Sequence, residues 1–142
     1  MKSISRFWQL LSLTYQEATL TICVASLHKG NPDGLVGVPL VLNEESKAFK
    51  ISFEPTEEYR SKSEPCFTHE ETDISITDYL FERPDSTYCK EACPFGAGSS
   101  LTEAMRHFYV FTESAVIEVL CTNLPAVEPI QLKAQQDAAA NP

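Results

Sequence analysis

Four residues have the types that could hold a metal. Cys89 and Cys93 stand three apart in "CKEAC", with His69 upstream and His107 downstream. Zinc takes about four such ligands in a tetrahedron. The spacing permits a site without specifying one, because the chain has neither a second close cysteine pair nor two histidines three to five residues apart. The same residues could supply a thiolate nucleophile, Cys93 or Cys89, with His107 as base. A reactive thiolate needs positive charge or a helix N-terminus beside it. Here Asp85 and Glu91 are the neighbours, and they oppose ionisation. The carboxylates of "HEETD" (His69, Glu70, Glu71, Asp73) could bind a hard cation or act as acid and base if they converged, which sequence proximity does not ensure. In "FGAGSSLTEAMRH", Ser99 or Ser100 could cap a helix beginning near Leu101, with exposed amides able to hold an anion. The loop lacks the lysine of a phosphate-binding loop and the spacing of a dinucleotide fingerprint, so it reads as a connection, and "CKEACPFGAGSS" as a whole reads as turn-rich. No catalytic residue, metal or cofactor is assigned from these patterns.

Strands must position whatever chemistry there is. "ATLTICVASL" alternates Leu20, Ile22 and Val24 with Thr19, Thr21 and Cys23, and "AFKISFEP" sets Phe49, Ile51 and Phe53 against Lys50 and Ser52. "KGNPDG" (29–34) carries residues suited to a chain reversal, and "LVGVPLVL" (35–42) is extended, with Pro39 confining it to an edge or a bulge. "EYRSKSE" keeps the two-residue period with few apolar groups and reads as an exposed partner strand in a meander. "PCFTHEETDISI" (65–76) reads as an acidic loop with room for one helical turn, "TDYLFERPDS" as a short strand ended by Pro84. "FYVFTESAVIEVLC" (108–121) is a β-hairpin that reverses at Thr112–Ser114. The prolines of "NLPAVEP" are expected to end regular pairing. Residues 5–13 suit a helix or a strand equally. The expected fold is α+β: a single domain over 1–130 dominated by a twisted antiparallel sheet, meander plus C-terminal hairpin, with one or two short helices, and a frayed or helical tail over 131–142.

A chain of 142 residues is long enough to bury a core without staples. Its five cysteines are an odd number, and Cys23 and Cys121 lie inside apolar runs, which favours reduced thiols in a cytoplasm over a secreted disulfide framework. Neither a signal peptide nor an apolar run long enough to span a membrane is read. The net charge is −9, and the segment from Glu44 to Glu91 holds 13 acidic and 6 basic residues. Such a field repels nucleic-acid phosphates and attracts a basic protein partner.

The residues "HFYVFTESAVIEVL" and "PAVEP", with "FKISFEPTEEY" more distantly, make the chain resemble a loose group of small, largely uncharacterised bacterial proteins. Some of these are immunity proteins that neutralise toxins. The resemblance implies an antiparallel α+β domain and carries no catalytic residue across. The expected function is an acidic cytoplasmic interaction module, immunity-like, in which Glu57, Glu58, Glu70, Glu71 and Asp73 pair with a partner's Lys or Arg and Tyr59 serves as aromatic anchor. Tyr79 is a second candidate anchor. The alternative is a small-molecule binding domain or minor enzyme using the 89–107 region, and strand edges leave room for a homodimer.

Overall fold

The computed structural model describes residues 7–29, 40–43, 45–92 and 105–132. In chain order these form β1 (Trp8–Gln16), β2 (Thr19–Ser26), β3 (His28–Lys29), β4 (Leu40–Val41), β5 (Ala48–Phe53), β6 (Thr56–Ser63), a 3-10 turn (Glu64–Cys66), β7 (Ile74–Ser75), β8 (Leu80–Arg83), α1 (Thr87–Ala92), β9 (Arg106–Phe111), β10 (Ala115–Cys121) and β11 (Ala126–Ile130). The architecture is α+β, mostly antiparallel sheet with one short helix. Residues 30–39 and the tail beyond 132 lie outside the described residues, and so do the expected turn at "NPDG" and the helical tail. Among the described residues no helix is long and apolar enough to cross a membrane.

Two sheets share one core. The first runs β1-β2-β5-β11 and the second β6-β10-β9-β8-β7. Leu20, Ile22 and Val24 of β2 and Ile51 and Phe53 of β5 meet Phe108, Val110, Ile117, Val119 and Leu80 of the second sheet in a single buried cluster. The alternation in β2 and β5 that marks them as strands also selects these inward faces. Tyr79, expected as an exposed anchor, is 3% exposed and packs between Trp8 and Phe49, with ring centroids 4.5 and 5.5 Å away. Burial of its ring outweighs the advantage of leaving one hydroxyl in water.

One open alternative is settled and three expectations need correction. Residues 8–16 settle as strand, because pairing with β2 buries Trp8 where a short isolated helix would bury little. The consecutive strands β5 and β6 do not pair in a meander: β5 lies between β2 and β11, while β6 pairs with β10 across the other sheet. The chain crosses between sheets at Glu54–Pro55, a cis peptide. The prolines at 125 and 129 do not end pairing. Pro129 sits opposite Phe49 in β11, an edge strand, where a missing N–H can face solvent. Finally, "CKEA", expected as part of a turn-rich connection, belongs to α1.

The β1–β2 turn is made by Glu17 and Ala18, at φ 52° and 64°. Both central residues of this hairpin therefore occupy the left-handed region that matches the twist of the strands. Alanine gains nothing there, and glycine loses the Cβ clash. Ala18→Gly is expected to stabilise the fold by about 0.5–1 kcal/mol in urea titration. A loss of stability would show that the turn is not the strained one described.

Candidate functional site

The central strands β9 and β10 of the second sheet are buried on both faces. Residues directly opposite in an antiparallel register point the same way, and the registers put Phe81 and Arg83 of β8, His107, Tyr109 and Phe111 of β9, Val116, Glu118 and Leu120 of β10, and Glu58, Arg60 and Lys62 of β6 on its outer face. Helix α1 covers one end of that face and the 64–73 loop covers the other. The polar groups trapped underneath form two clusters.

The first is centred on Glu118, whose side chain is 1% exposed. Its Oε2 accepts from Arg60 Nε at 2.6 Å, with Lys62 Nζ 3.8 Å away. Its Oε1 lies 3.0 Å from His107 Nε2, out of line for a hydrogen bond. His107 Nδ1 is 2.6 Å from Ser86 Oγ, and Ser86 Oγ in turn accepts the backbone N–H of Cys89 at 2.9 Å. Ser86 thus caps α1. With one of its lone pairs taken by that amide, its proton can go to Nδ1, which places the imidazole proton on Nε2, facing Glu118. Burial works to raise the Glu118 pKa, but His107 and Arg60 outweigh it and bring the carboxyl down to about 2. The Arg60 guanidinium lies over the Tyr88 ring, 3.7 Å from its centroid, and Tyr88 meets His107 edge-on at 5.3 Å. Burial, and then the Glu58 carboxylate, push the Tyr88 phenol well up, so it stays protonated.

The second cluster holds the loop. Asp73 takes two 2.9 Å hydrogen bonds from Arg83, one of 2.6 Å from the Tyr109 hydroxyl and one of 2.9 Å from the backbone N–H of Glu70. Arg83 also donates to Thr68 O at 2.8 Å. Since Tyr109 gives its proton to Asp73, the 2.8 Å contact from His69 Nδ1 to the Tyr109 oxygen is a donation by the imidazole. Phe67 packs on Tyr109 at a tilt, ring centroids 4.6 Å apart, and His69 sits 4.8 Å from Phe111. Burial raises the Asp73 pKa, while Arg83, the Glu70 amide and Tyr109 bring it down to about 2.

Ser86, His107 and Glu118 have the residue types of a hydrolase triad. The arrangement does not function as one: Ser86 is 4% exposed, serves as a helix cap, and does not line the cleft beside it. His107, considered as a base for Cys89 or Cys93, has one ring nitrogen on Ser86 and the other against Glu118. His69 belongs to the other cluster, so the two histidines do not converge. Cys93 and the glycine loop at 95–100 lie outside the described residues.

The six expected partner-binding residues are dispersed. Glu57 is the extra residue at a β-bulge, where Leu120 pairs with Glu58 and Cys121 with Thr56. Glu58 lies on the outer face, and Tyr59, opposite Val119, on the other. Glu70 and Glu71 are exposed in the loop. Asp73 is withdrawn from the set, because its side chain is 4% exposed and neutralised by Arg83. The residue that sequence reasoning missed is Glu118. Its signal was a lone carboxylate between Ile117 and Val119 in an otherwise apolar strand.

Between α1, β6 and the loop opens a cleft of about 330 Å3 with Glu118 and His107 at its base. A larger hollow of about 780 Å3 beside the paired ends of β5 and β11 is lined by Phe49, Ile130 and Leu132 among others, and Lys47 is its one charged side chain among the described residues. No family model matches the chain, and comparison with curated proteins and with solved structures gives no match.

Because Glu118 and Asp73 titrate lower in the folded chain than in the unfolded one, each stabilises the fold fully above about pH 4.5, and that stabilisation is lost as pH falls toward 2. Each contributes on the order of 2–3 kcal/mol. Asp73→Asn and Glu118→Gln are each expected to lower stability at pH 7 and to flatten its decline between about pH 5 and 2. Urea melts across that range check this. An unchanged slope in both variants would contradict the assigned ionisation.

Proposed function

We propose that the chain is a protein-interaction module that recognises a basic partner through an acidic and aromatic corner between its two sheets. The observation that carries this reading is the pairing of Tyr15 and Tyr59, 48% and 37% exposed, with ring centroids 5.3 Å apart. Tyr15 also donates to Thr56 O at 3.3 Å. The pair joins two strands that are each the edge of a sheet, β1 and β6. Its rings are therefore held in place before a partner arrives, which reduces the entropy lost on binding. The backbone N–H of Thr56 donates to Ala18 O at 2.7 Å, so Glu17 and Glu57 flank the same corner. Exposed aromatics ringed by charge are common anchors of interfaces.

The partner's chemistry follows from charge. At −9 the chain attracts a basic protein and accelerates its approach at low salt. Inhibition of the immunity kind, in which Glu57 and Glu58 cover a basic active site and Tyr59 fills a pocket, is the form of this reading that agrees with the resemblance drawn from the C-terminal hairpin. The buried thiols Cys23 and Cys121, set inside strands, support a reducing compartment such as the bacterial cytoplasm.

A pull-down from the native host at low and at moderate salt is expected to recover a basic protein whose retention falls with salt. Tyr59→Ala is expected to weaken that complex about tenfold or more, and Glu57→Lys with Glu58→Lys to slow its formation. Recovery of no salt-sensitive basic partner, or equal binding by all three proteins, would refute the reading.

A further inference from the structure

Each arginine among the described residues is held in the same way. Arg60 lies over Tyr88, 3.7 Å from the ring centroid, with its Nε on Glu118 at 2.6 Å. Arg83 lies over Phe67 and Tyr109, at 5.0 and 5.3 Å, and gives two hydrogen bonds to Asp73. Arg106 lies over Phe108 at 5.2 Å and gives two of 2.7 Å to Glu82. A planar guanidinium can rest on a ring while the N–H groups in its own plane reach a carboxylate, a division that a compact ammonium does not allow. Lys50 and Lys90 instead pair with single carboxylates, Glu128 and Asp85.

The corner at Tyr15 and Tyr59 brings the same components to the surface. Its two rings meet at a tilt of 55°, and each residue keeps more than a third of its surface in water. Glu17 and Glu57 stand two residues from the rings and are held at the same corner by the hydrogen bond from Thr56 N–H to Ala18 O. Among the described residues neither carboxylate has an ion-pair partner, whereas Glu82, Glu118 and Asp73 each have an arginine. An anion would be repelled here. An apolar side chain would use the rings and leave the carboxylates without a counter-charge, and an ammonium would use the carboxylates while gaining less from the rings.

We propose that the Tyr15–Tyr59 corner is an arginine-specific site, which takes one arginine side chain of the basic partner with its guanidinium on the tyrosine rings and its N–H groups on Glu17 and Glu57. The inference rests on the reading of this corner as the interface for a basic protein, and adds which basic residue anchors it. No bond is made or broken. The partner's arginine completes at the surface the arrangement that Arg60, Arg83 and Arg106 complete within the fold.

Titration of the full chain with tetra-arginine and with tetra-lysine, at about 0.15 M ionic strength and with the tyrosine ring signals followed by NMR, tests this. Tetra-arginine is expected to shift the rings of Tyr15 and Tyr59 saturably, with half-saturation at a concentration about threefold or more below that of tetra-lysine. Tyr59→Leu is expected to bring the two peptides within about twofold of each other, read at Tyr15. Glu57→Gln is expected to weaken tetra-arginine about threefold, while Glu113→Gln, which removes the same charge at the other end of β1 beside Trp8, changes it by less than about 1.5-fold. Tyr59, Glu57 and Glu113 are exposed, so the variants keep the fold, which far-UV circular dichroism checks. Equal half-saturation by the two peptides would overturn the arginine assignment while leaving a basic partner in place. Ring signals unmoved by either peptide, or a preference for arginine that survives Tyr59→Leu, would overturn it as well. The wider reading fails on a separate result, a pull-down without a salt-sensitive basic protein.

Discussion

A carboxylate inside a sheet is the constraint from which much of this structure follows. Glu118 lies on β10, between β6 and β9, and an ionised group there must find compensation close by. Arg60 comes from the strand on one side and His107 from the strand on the other. Ser86, on His107, ties the start of α1 to the same point. A shift of either strand pair by one residue would turn Glu118 toward Phe108 and Val110 and separate it from its partners. Charge therefore fixes the register that the apolar alternation also prefers. Agreement between these two forces is what lets one buried ion specify a unique pairing.

The acid-rich middle of the chain has a structural role along part of its length. Residues 67–73 form a cover for the outer face of the second sheet, with Phe67 and His69 packed on Tyr109 and Phe111 and with Asp73 holding Arg83. The carboxylates of that segment left at the surface are Glu70 and Glu71. The exposed carboxylates are thus spread over several elements, Glu45, Asp85 and Glu128 among them, besides the pinned loop and the corner at Tyr15 and Tyr59. The acidic surface is not a single projecting band.

The sequence displayed the parts of the fold that depend on local alternation. β2, β5, β8 and the β9–β10 hairpin were legible because each alternates or ends at a recognisable turn. Long-range choices were not. Whether β6 pairs with β5 or β10 depends on which arrangement buries Phe53 and Val119 together, and no window of residues contains both. The β1–β2 turn gave no signal, since Glu17 and Ala18 are not the residues that favour positive φ. β11 was hidden by its prolines, which are harmless only because the strand is an edge. Of the candidate site, Tyr59 was legible as an exposed aromatic flanked by acid. Glu118 was not recognised, because a glutamate in a strand is usually on a wet face and here both faces are covered.

The two sheets together have four outer strands, and each is shaped differently. β1 is interrupted by a bulge between Leu10 and Ser12, β11 carries Pro129, β6 alternates charged side chains, and β7 is two residues long. Open strand backbones invite other chains to continue the ladder, and bulges, prolines, charges and brevity each interrupt that process. A protein so rich in sheet would otherwise be prone to nucleate fibrils at high concentration. With these four margins each interrupted in its own way, none of them offers the next molecule an unbroken template for ordered stacking.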